Sequence, residues 1–287
     1  VKRYGTLLSL QHRRTKVGLC LWSLIILLAI LAPMISPHDP NQQDLQHALL
    51  PPVWFEQGQW SYLLGTNILG QCQLSQLLYG FQVAVIVAIA AAILTALIGC
   101  FLGICAGYFE HLFERIITSV VEMWMTFPAV VLALLIMVAL SPGLTNIIIA
   151  IVLVDWTRFC KVILNETKQL KQREFIAAAR IAGASHLHVI VKDILPNLIP
   201  SIVVLISIEL SIAVVVESTL AFVGISVQPE MPSWGGMIAA GLESVFTAPW
   251  LVLPPMLCII FVVFVSTLLS DGLNQQKING QMLGNKS

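Results

Sequence analysis

The chain has 287 residues, of which 57% are hydrophobic and only 10% charged, and its 15 Lys and Arg are matched by 15 Asp and Glu. Charge this far below the roughly 25% usual in soluble domains, with a mean hydropathy of +0.88, excludes a water-soluble globule and makes the bilayer the solvent. The formal net charge of zero argues against nucleic acid as a partner and shifts attention to where the charges lie.

A bilayer core of about 30 Å needs about 20 mostly apolar residues in a helix, because unpaired backbone groups are too costly in lipid. Six stretches meet that requirement. The first, Val17 to Ile35, follows a basic segment as a signal peptide would, but it is longer than an h-region and lacks a small-x-small cleavage pattern. It reads as a retained helix. The segment Ser36 to Gly80 that follows carries Pro, Gln, Asn, Trp and the acidic Asp39, Asp44 and Glu56, and is predicted to lie outside the membrane. A second span runs from Phe81 to Tyr108, a third from Ile116 to Leu140 and a fourth from Leu144 to Leu164. The fifth, Asn197 to Gly224, exceeds what a bilayer requires, as does the second, which predicts tilt or extension beyond the lipid. The sixth is Trp250 to Leu269, so the fold class is all-α, a polytopic membrane protein with six transmembrane helices.

With a cytoplasmic amino terminus, these spans place residues 1–16, 109–115, 165–196 and 270–287 inside. All 15 Lys and Arg then fall in those segments or at the adjoining end of the fourth span, where Arg158 and Lys161 sit. The opposite segments, 36–80, 141–143 and 225–249, hold none, which is the positive-inside pattern with both termini cytoplasmic.

Cys20, Cys100, Cys105, Cys160 and Cys258 fall in or near spans and Cys72 alone lies outside, so no disulfide framework is indicated. His38 and His47 in the outer loop read as solvated side chains rather than metal ligands. Neither a G-x-x-x-x-G-K-[ST] phosphate loop, a G-x-S-x-G elbow nor an H-E-x-x-H helix occurs. No catalytic or nucleotide-binding residue is therefore assigned, and energy must come from an ion gradient or another subunit. The ionisable residues inside spans are Glu122, Asp155, Glu209 and Glu217. Each costs about 2.5 to 3.5 kcal/mol near a helix centre and is expected to face protein or water. Asp155 and Arg158, at i and i+3, read as a local pair. Glu209 and Glu217 read either as interhelical hydrogen-bonding groups or as the lining of a translocation path, the use a proton-coupled carrier would make of them.

One polar stretch remains, "REFIAAARIAGASHLHVIVKDILPN", from Arg173 to Asn197. Glu174 to Ala182 is a strong helix former with Ala177, Ala178 and Ala179 in a row, and Gly183 supplies a helix end. A second short amphipathic piece, with Leu187, Val189, Ile190 and Ile194 apolar, leads to Leu195-Pro196 and the fifth span. The stretch is predicted to be a pair of short helices about a glycine turn. It is either an ordinary polar loop or a docking surface, on which small residues permit close approach and Arg173, Glu174 and Arg180 orient a partner.

The segment "AAARIAGASHLHVIVKDILP" resembles the cytoplasmic signature of binding-protein-dependent ABC importer permeases, E-A-A, three residues, Gly, then a stretch ending in Leu-Pro. Ala178, Ala179, Gly183, Leu195 and Pro196 match, while Ala177 stands at the Glu position. "MTFPAVVLALLIMVAL", "GLTNIIIAIVLVDWTRFCKVI", "KQREFIAAARIAGAS", "PSWGGMIAAG" and "LAPMISPHDP" are similar to the peptide and nickel branch, so the resemblance covers nearly the whole chain. It implies a type I importer membrane domain over residues 81–275 with its coupling loop at 165–196, preceded by 1–80 and followed by a tail at 276–287. It also implies partners: a second related permease, two cytoplasmic ATPases that use ATP and Mg, and an extracytoplasmic solute-binding protein, with no cofactor on this chain. The implied cargo is a di- or oligopeptide, or nickel or a metal chelate. That branch usually reads G-T-D-x-x-G-R-D-x-x-S-R-L-x-x-G before the second span, where this chain has "GTNILGQCQLSQLLYG". Gly65, Gly70, Ser75 and Gly80 remain, and Asn67, Gln71, Cys72 and Gln76 replace four charged residues, so the motif is expected to keep its scaffold without its ion pairs.

Overall fold

The computed structural model describes residues 13–109, 111–225 and 231–284, with side chains up to residue 278. The predicted basic residues Lys2, Arg3 and Lys286 lie outside them. Among the described residues all regular structure is helical, apart from one isolated bridge between Thr66 and Cys72. Helix α1 (Arg13–Ile35) leads to an irregular cap, residues 36–72, with one 3-10 turn at Leu45–His47. Then come α2 (Gln73–Phe109), α3 (His111–Met125), α4 (Ala129–Leu140), α5 (Leu144–Lys171) and α6 (Glu174–Ile181). The chain ends in α7 (His186–His188), α8 (Leu195–Phe222), α9 (Trp234–Glu243) and α10 (Leu253–Gly284).

Helix α2 is the centre of the packing because it can be approached closely. Gly99, Gly103 and Gly107 recur every fourth residue on its α5 side; a Cβ at Gly103 would lie 2.7 Å from the Cys160 carbonyl, and one at Gly107 2.6 Å from that of Leu164. In lipid, where apolar contact between helices has no solvent drive, such small-residue stripes are what let backbones close up. Around α2, one apolar cluster joins Trp22 and Ile25 of α1, Phe81, Trp234 of α9 and Val265 of α10. A second joins Val87 to Met137 of α4, Ile151 of α5 and Leu220 of α8. A third gathers Tyr108, Phe159, Ile163, Ile176, Val189, Ile194 and Leu198 at the α6 end of the bundle.

Four helical segments are long and apolar enough to cross a membrane: Arg13–Ile35, Gln73–Phe109, His186–Phe222 and Pro249–Ile278. The predicted third span is not one helix. Its parts, α3 and α4, meet at 90°, and together they make a fifth candidate span. Pro128 explains the break: it lacks an amide donor and disfavours helical geometry at Phe127, while the Thr126 hydroxyl donates back to the Met123 carbonyl at 2.6 Å. Helix α5 has the length, 28 residues, but carries Asp155, Arg158 and Lys161 within its apolar part and runs to Lys171, past the predicted end at Leu164.

The predicted fifth span also begins earlier than expected. The second amphipathic piece is not a separate helix; α7 continues through a π turn, Val189–Ile194, into α8 as one helix from His186 to Phe222. Pro196 does not break it because the register widens just before it, the Leu195 amide bonding the Ile190 carbonyl, which accommodates a residue without a donor inside the helix. Helix α9 lies in the predicted outer segment 225–249, capped by Ser233, whose hydroxyl accepts from the Gly236 amide at 3.3 Å. Its Trp234 is buried, donates to the Leu77 carbonyl at 3.2 Å and meets Phe81 edge-on at 4.8 Å, which is why Gly80 has no side chain there.

Candidate functional site

Helix α6 is held by one face and open on the other. Ile176 is 1% exposed in the third cluster and Ala179 is half-buried beside it, whereas Phe175, Ala177, Ala178 and Arg180 are exposed and Ile181 is 88% exposed. The helix ends in a Schellman turn: the Gly183 amide donates to the Arg180 carbonyl at 3.0 Å and the Ala184 amide to that of Ala179 at 3.1 Å. This requires φ +86° at Gly183, where a Cβ would meet nothing within 4 Å, so glycine is there for its backbone and for an unobstructed surface. Ser185 caps the following turn, its hydroxyl accepting from the His188 amide at 3.3 Å.

Two contacts fix this turn to the bundle. Tyr108, at the end of α2, hydrogen-bonds His186 Nδ1 at 2.9 Å, and the Lys171 ammonium lies 5.6 Å from the Tyr108 ring centroid, a cation–π contact. The structure thus brings Arg173, Glu174, Ala177, Ala178, Arg180 and Gly183 onto one exposed segment. Pro196 is not part of it, being half-buried inside the continuous helix. The exposed Phe175 and Leu187 and the buried Tyr108 belong to the arrangement and were not predicted as site residues; large apolar side chains in a stretch outside the spans were the available signal for the first two.

Charged side chains join the helices along the bundle. Arg158 of α5 binds Glu209 of α8, and its Nη2 stands 3.9 Å from Asp155, so its nearer partner is the interhelical one. Glu209 is fully buried, with Oε2 on the guanidinium and Oε1 without a hydrogen-bond partner. Glu217 is 1% exposed, and the Ser218 hydroxyl donates to it at 3.3 Å. Glu166 of α5 accepts from Lys277 of α10 at 2.7 Å and from the Ser201 hydroxyl of α8, while Lys168 binds Glu114 of α3.

The cap at the opposite end uses no such pairs where the charged motif would sit. Gln71 Oε1 accepts from Asn67 Nδ2 at 2.8 Å and from Gln76 Nε2 at 2.9 Å, and Asn67 Oδ1 accepts from the Leu69 and Gln71 amides at 2.9 and 3.0 Å. Cys72 is buried. Gly70, at φ +73°, lies directly against the Asp44 backbone. Asp44 Oδ2 binds His47 Nδ1 at 2.6 Å, which holds its carboxyl below the usual range, and burial with the neighbouring Asp44 charge pushes the Tyr62 phenol up. His38 stacks on Tyr62 at 4.7 Å, and among the described residues no three His, Cys, Asp or Glu side chains converge as a metal site needs.

A helical membrane protein whose α6 is anchored on one face and bare on the other is built as a subunit of a larger assembly. The chain belongs to the family of binding-protein-dependent transport system inner membrane components, which residues 99–277 match, and residues 10–52 match the N-terminal transmembrane domain of oligopeptide transport permease C. It is 32% identical to the di/tripeptide transport system permease protein DppC of Pseudomonas aeruginosa over 92% of this chain and 88% of that one. It is 36% identical to the dipeptide transport system permease protein DppC of Escherichia coli, with 92% and 88% covered. A putative peptide transport system permease protein of Brucella abortus is 32% identical over 92% and 87%.

Proposed function

We propose that this chain is one of the two membrane subunits of an ABC importer of di- or oligopeptides. The observation that carries the reading is the likeness, over 92% of the chain, to permeases named for dipeptide and di/tripeptide transport. Those names favour peptides over the nickel or metal-chelate alternative. In this reading α5 crosses the membrane with the other candidate spans to give six, and the Lys and Arg distribution sets both termini in the cytoplasm of a bacterial inner-membrane protein.

Helix α6 and the Gly183 turn then form the coupling segment, seated on one of two partner ATPases that bind ATP and Mg, while a solute-binding protein delivers cargo at the cap side. Its geometry suits transmission. Ile176 and the Tyr108–His186 bond tie the segment to α2 and α5, so a push on the exposed face moves packed helices rather than a loose loop. ATP would bias a two-state rocking between inward-facing and outward-facing arrangements. The test is isolation of the chain from its native membrane: a second permease and ATPase subunits should co-purify, with vanadate-sensitive ATP hydrolysis. Transport of labelled dipeptide by the chain alone under a proton gradient would overturn the reading in favour of a secondary carrier.

A further inference from the structure

Helix α3 is the most two-faced helix of the chain. Glu114, Arg115, Thr118, Ser119 and Glu122 form one polar stripe, and Leu112, Ile116, Val120 and Met123 are exposed elsewhere on it. Helix α5 carries a matching stripe, Arg158, Lys161, Asn165 and Lys168. The two stripes enclose a recess of about 200 Å³ lined by Glu114, Thr118, Glu122, Lys161, Asn165 and Lys168 among others. A second recess of about 520 Å³ shares Glu114, Thr118 and Glu122, so the two form one trough. The recess between the two helices is smaller than the roughly 300 to 1,000 Å³ usual for small-molecule sites, and the second recess extends it along α3.

Glu114 and Lys168 are bonded to each other, but Glu122 and Lys161 are in no ion pair among the described residues. Both are exposed, and both stand in stretches that the apolar pattern assigns to the membrane. Facing lipid, Glu122 would cost several kcal/mol, and Lys161 stands at the end of its span, so the trough fronts water or a polar occupant. We propose that this α3–α5 trough is a transit site for zwitterionic peptides, the Glu122 carboxylate taking the terminal ammonium and the Lys161 ammonium the terminal carboxylate. Thr118 and Asn165 offer hydrogen bonds to the peptide group between them. The assignment rests on the importer reading; opposite charges across a small polar recess match a free-ended short peptide, whereas a metal cation or an anion would be repelled by one side of it.

The test uses inside-out vesicles holding the assembled transporter with Asn165→Cys, and a membrane-impermeant charged maleimide. Label should enter above the background of the native cysteines, and dialanine at about ten times its half-protecting concentration should slow it roughly tenfold. Dialanine acetylated at one end and amidated at the other should not protect. Glu122→Gln or Lys161→Met in the same background should abolish protection by free dialanine. No labelling would mean that the second permease covers the trough and would overturn the proposal. Labelling without protection, equal protection by the blocked peptide, or protection surviving both substitutions would each do the same. Failure of the unsubstituted transporter to import labelled dialanine would instead count against the peptide-importer reading.

Discussion

The two ends of the bundle solve one problem with different chemistry. At the cap, irregular backbone is fixed to the start of α2 by neutral amides, with Gln71 accepting from both Asn67 and Gln76. From mid-bundle toward the Gly183 end, helices that are already regular are fixed to one another by ions: Arg158 to Glu209, Lys168 to Glu114 and Lys277 to Glu166. Neutral hydrogen bonds are directional and insensitive to salt, so they hold one arrangement. Ion pairs tolerate changes of partner, and Glu166 already has two, on α8 and α10. On the proposed function, the contrast would make the cap the fixed end and the ion-paired helices the part free to rearrange.

The strongest way to break this contrast is Arg158→Ala. It leaves the fully buried Glu209 without its counter-ion, to take up a proton or remain unpaired, at a cost of up to about 3 to 5 kcal/mol. A clear drop in the melting temperature of the purified complex is expected, and Arg158→Lys should recover part of it. An unchanged melting temperature would show that the ionic end is ornament. Next is Gly183→Val, which forces a β-branched residue into φ +86° and places bulk on the exposed turn. The backbone penalty is about 1 to 3 kcal/mol, local to the turn. Membrane insertion and helix content should be unchanged while uptake falls by about tenfold or more, as expected if bulk on the exposed turn weakens docking by about 1.4 kcal/mol. Uptake within error of the unsubstituted protein would remove α6 from the coupling path.

At the cap the expected effects are smaller. Gln71→Ala deletes the acceptor shared by two amides and should loosen residues 36–72 by about 1 to 2 kcal/mol, read as faster protease cleavage in the cap. Installing Asp, Arg and Arg at Asn67, Gln71 and Gln76 sharpens the comparison: the cap should then become salt-sensitive, as the Gly183 end is. Cleavage that stays independent of salt in that variant would mean the amides are bystanders.

What the sequence disclosed followed from how local each cause is. Four of the predicted spans were legible because apolar runs alone decide them, and the glycine end of α6 because a Schellman turn needs one residue type at one place. The Pro128 bend was equally local, yet its apolar flanks disguised it as a single span. The glycine stripe of α2 was written at every fourth residue, but its meaning depends on which helix comes to it. Arg158 illustrates the limit: its i−3 neighbour Asp155 is visible in the sequence, while its nearer partner Glu209 is 51 residues away and is brought in by packing of α5 on α8. Tyr108 and His186 likewise meet only because the third cluster forms. The continuity of α7 into α8 across Pro196 depends on Val189 and Ile194 being buried, which no propensity foretells.

The smallest effect concerns an ionic contact within the cap, between Asp44 and His47. Asp44 accepts from the Gln46 amide at 3.2 Å, binds His47 at 2.6 Å, and its backbone supports Gly70. The His47 bond holds the carboxyl below its ordinary value of 3.8. A group whose folded pKa is depressed contributes stability that is fully present above the unfolded value and is lost as pH falls through the folded one. Acid should therefore leave the cap unchanged down to pH 3.8 and loosen it only below. Because the group is solvent-exposed the change will be slight, visible as a shift in cap cleavage rather than unfolding. Asp44→Asn should flatten that dependence and leave the Gly183 end untouched. Loosening that begins well above pH 3.8 would place the acid-sensitive group elsewhere, and the cap could no longer be called the end that holds still.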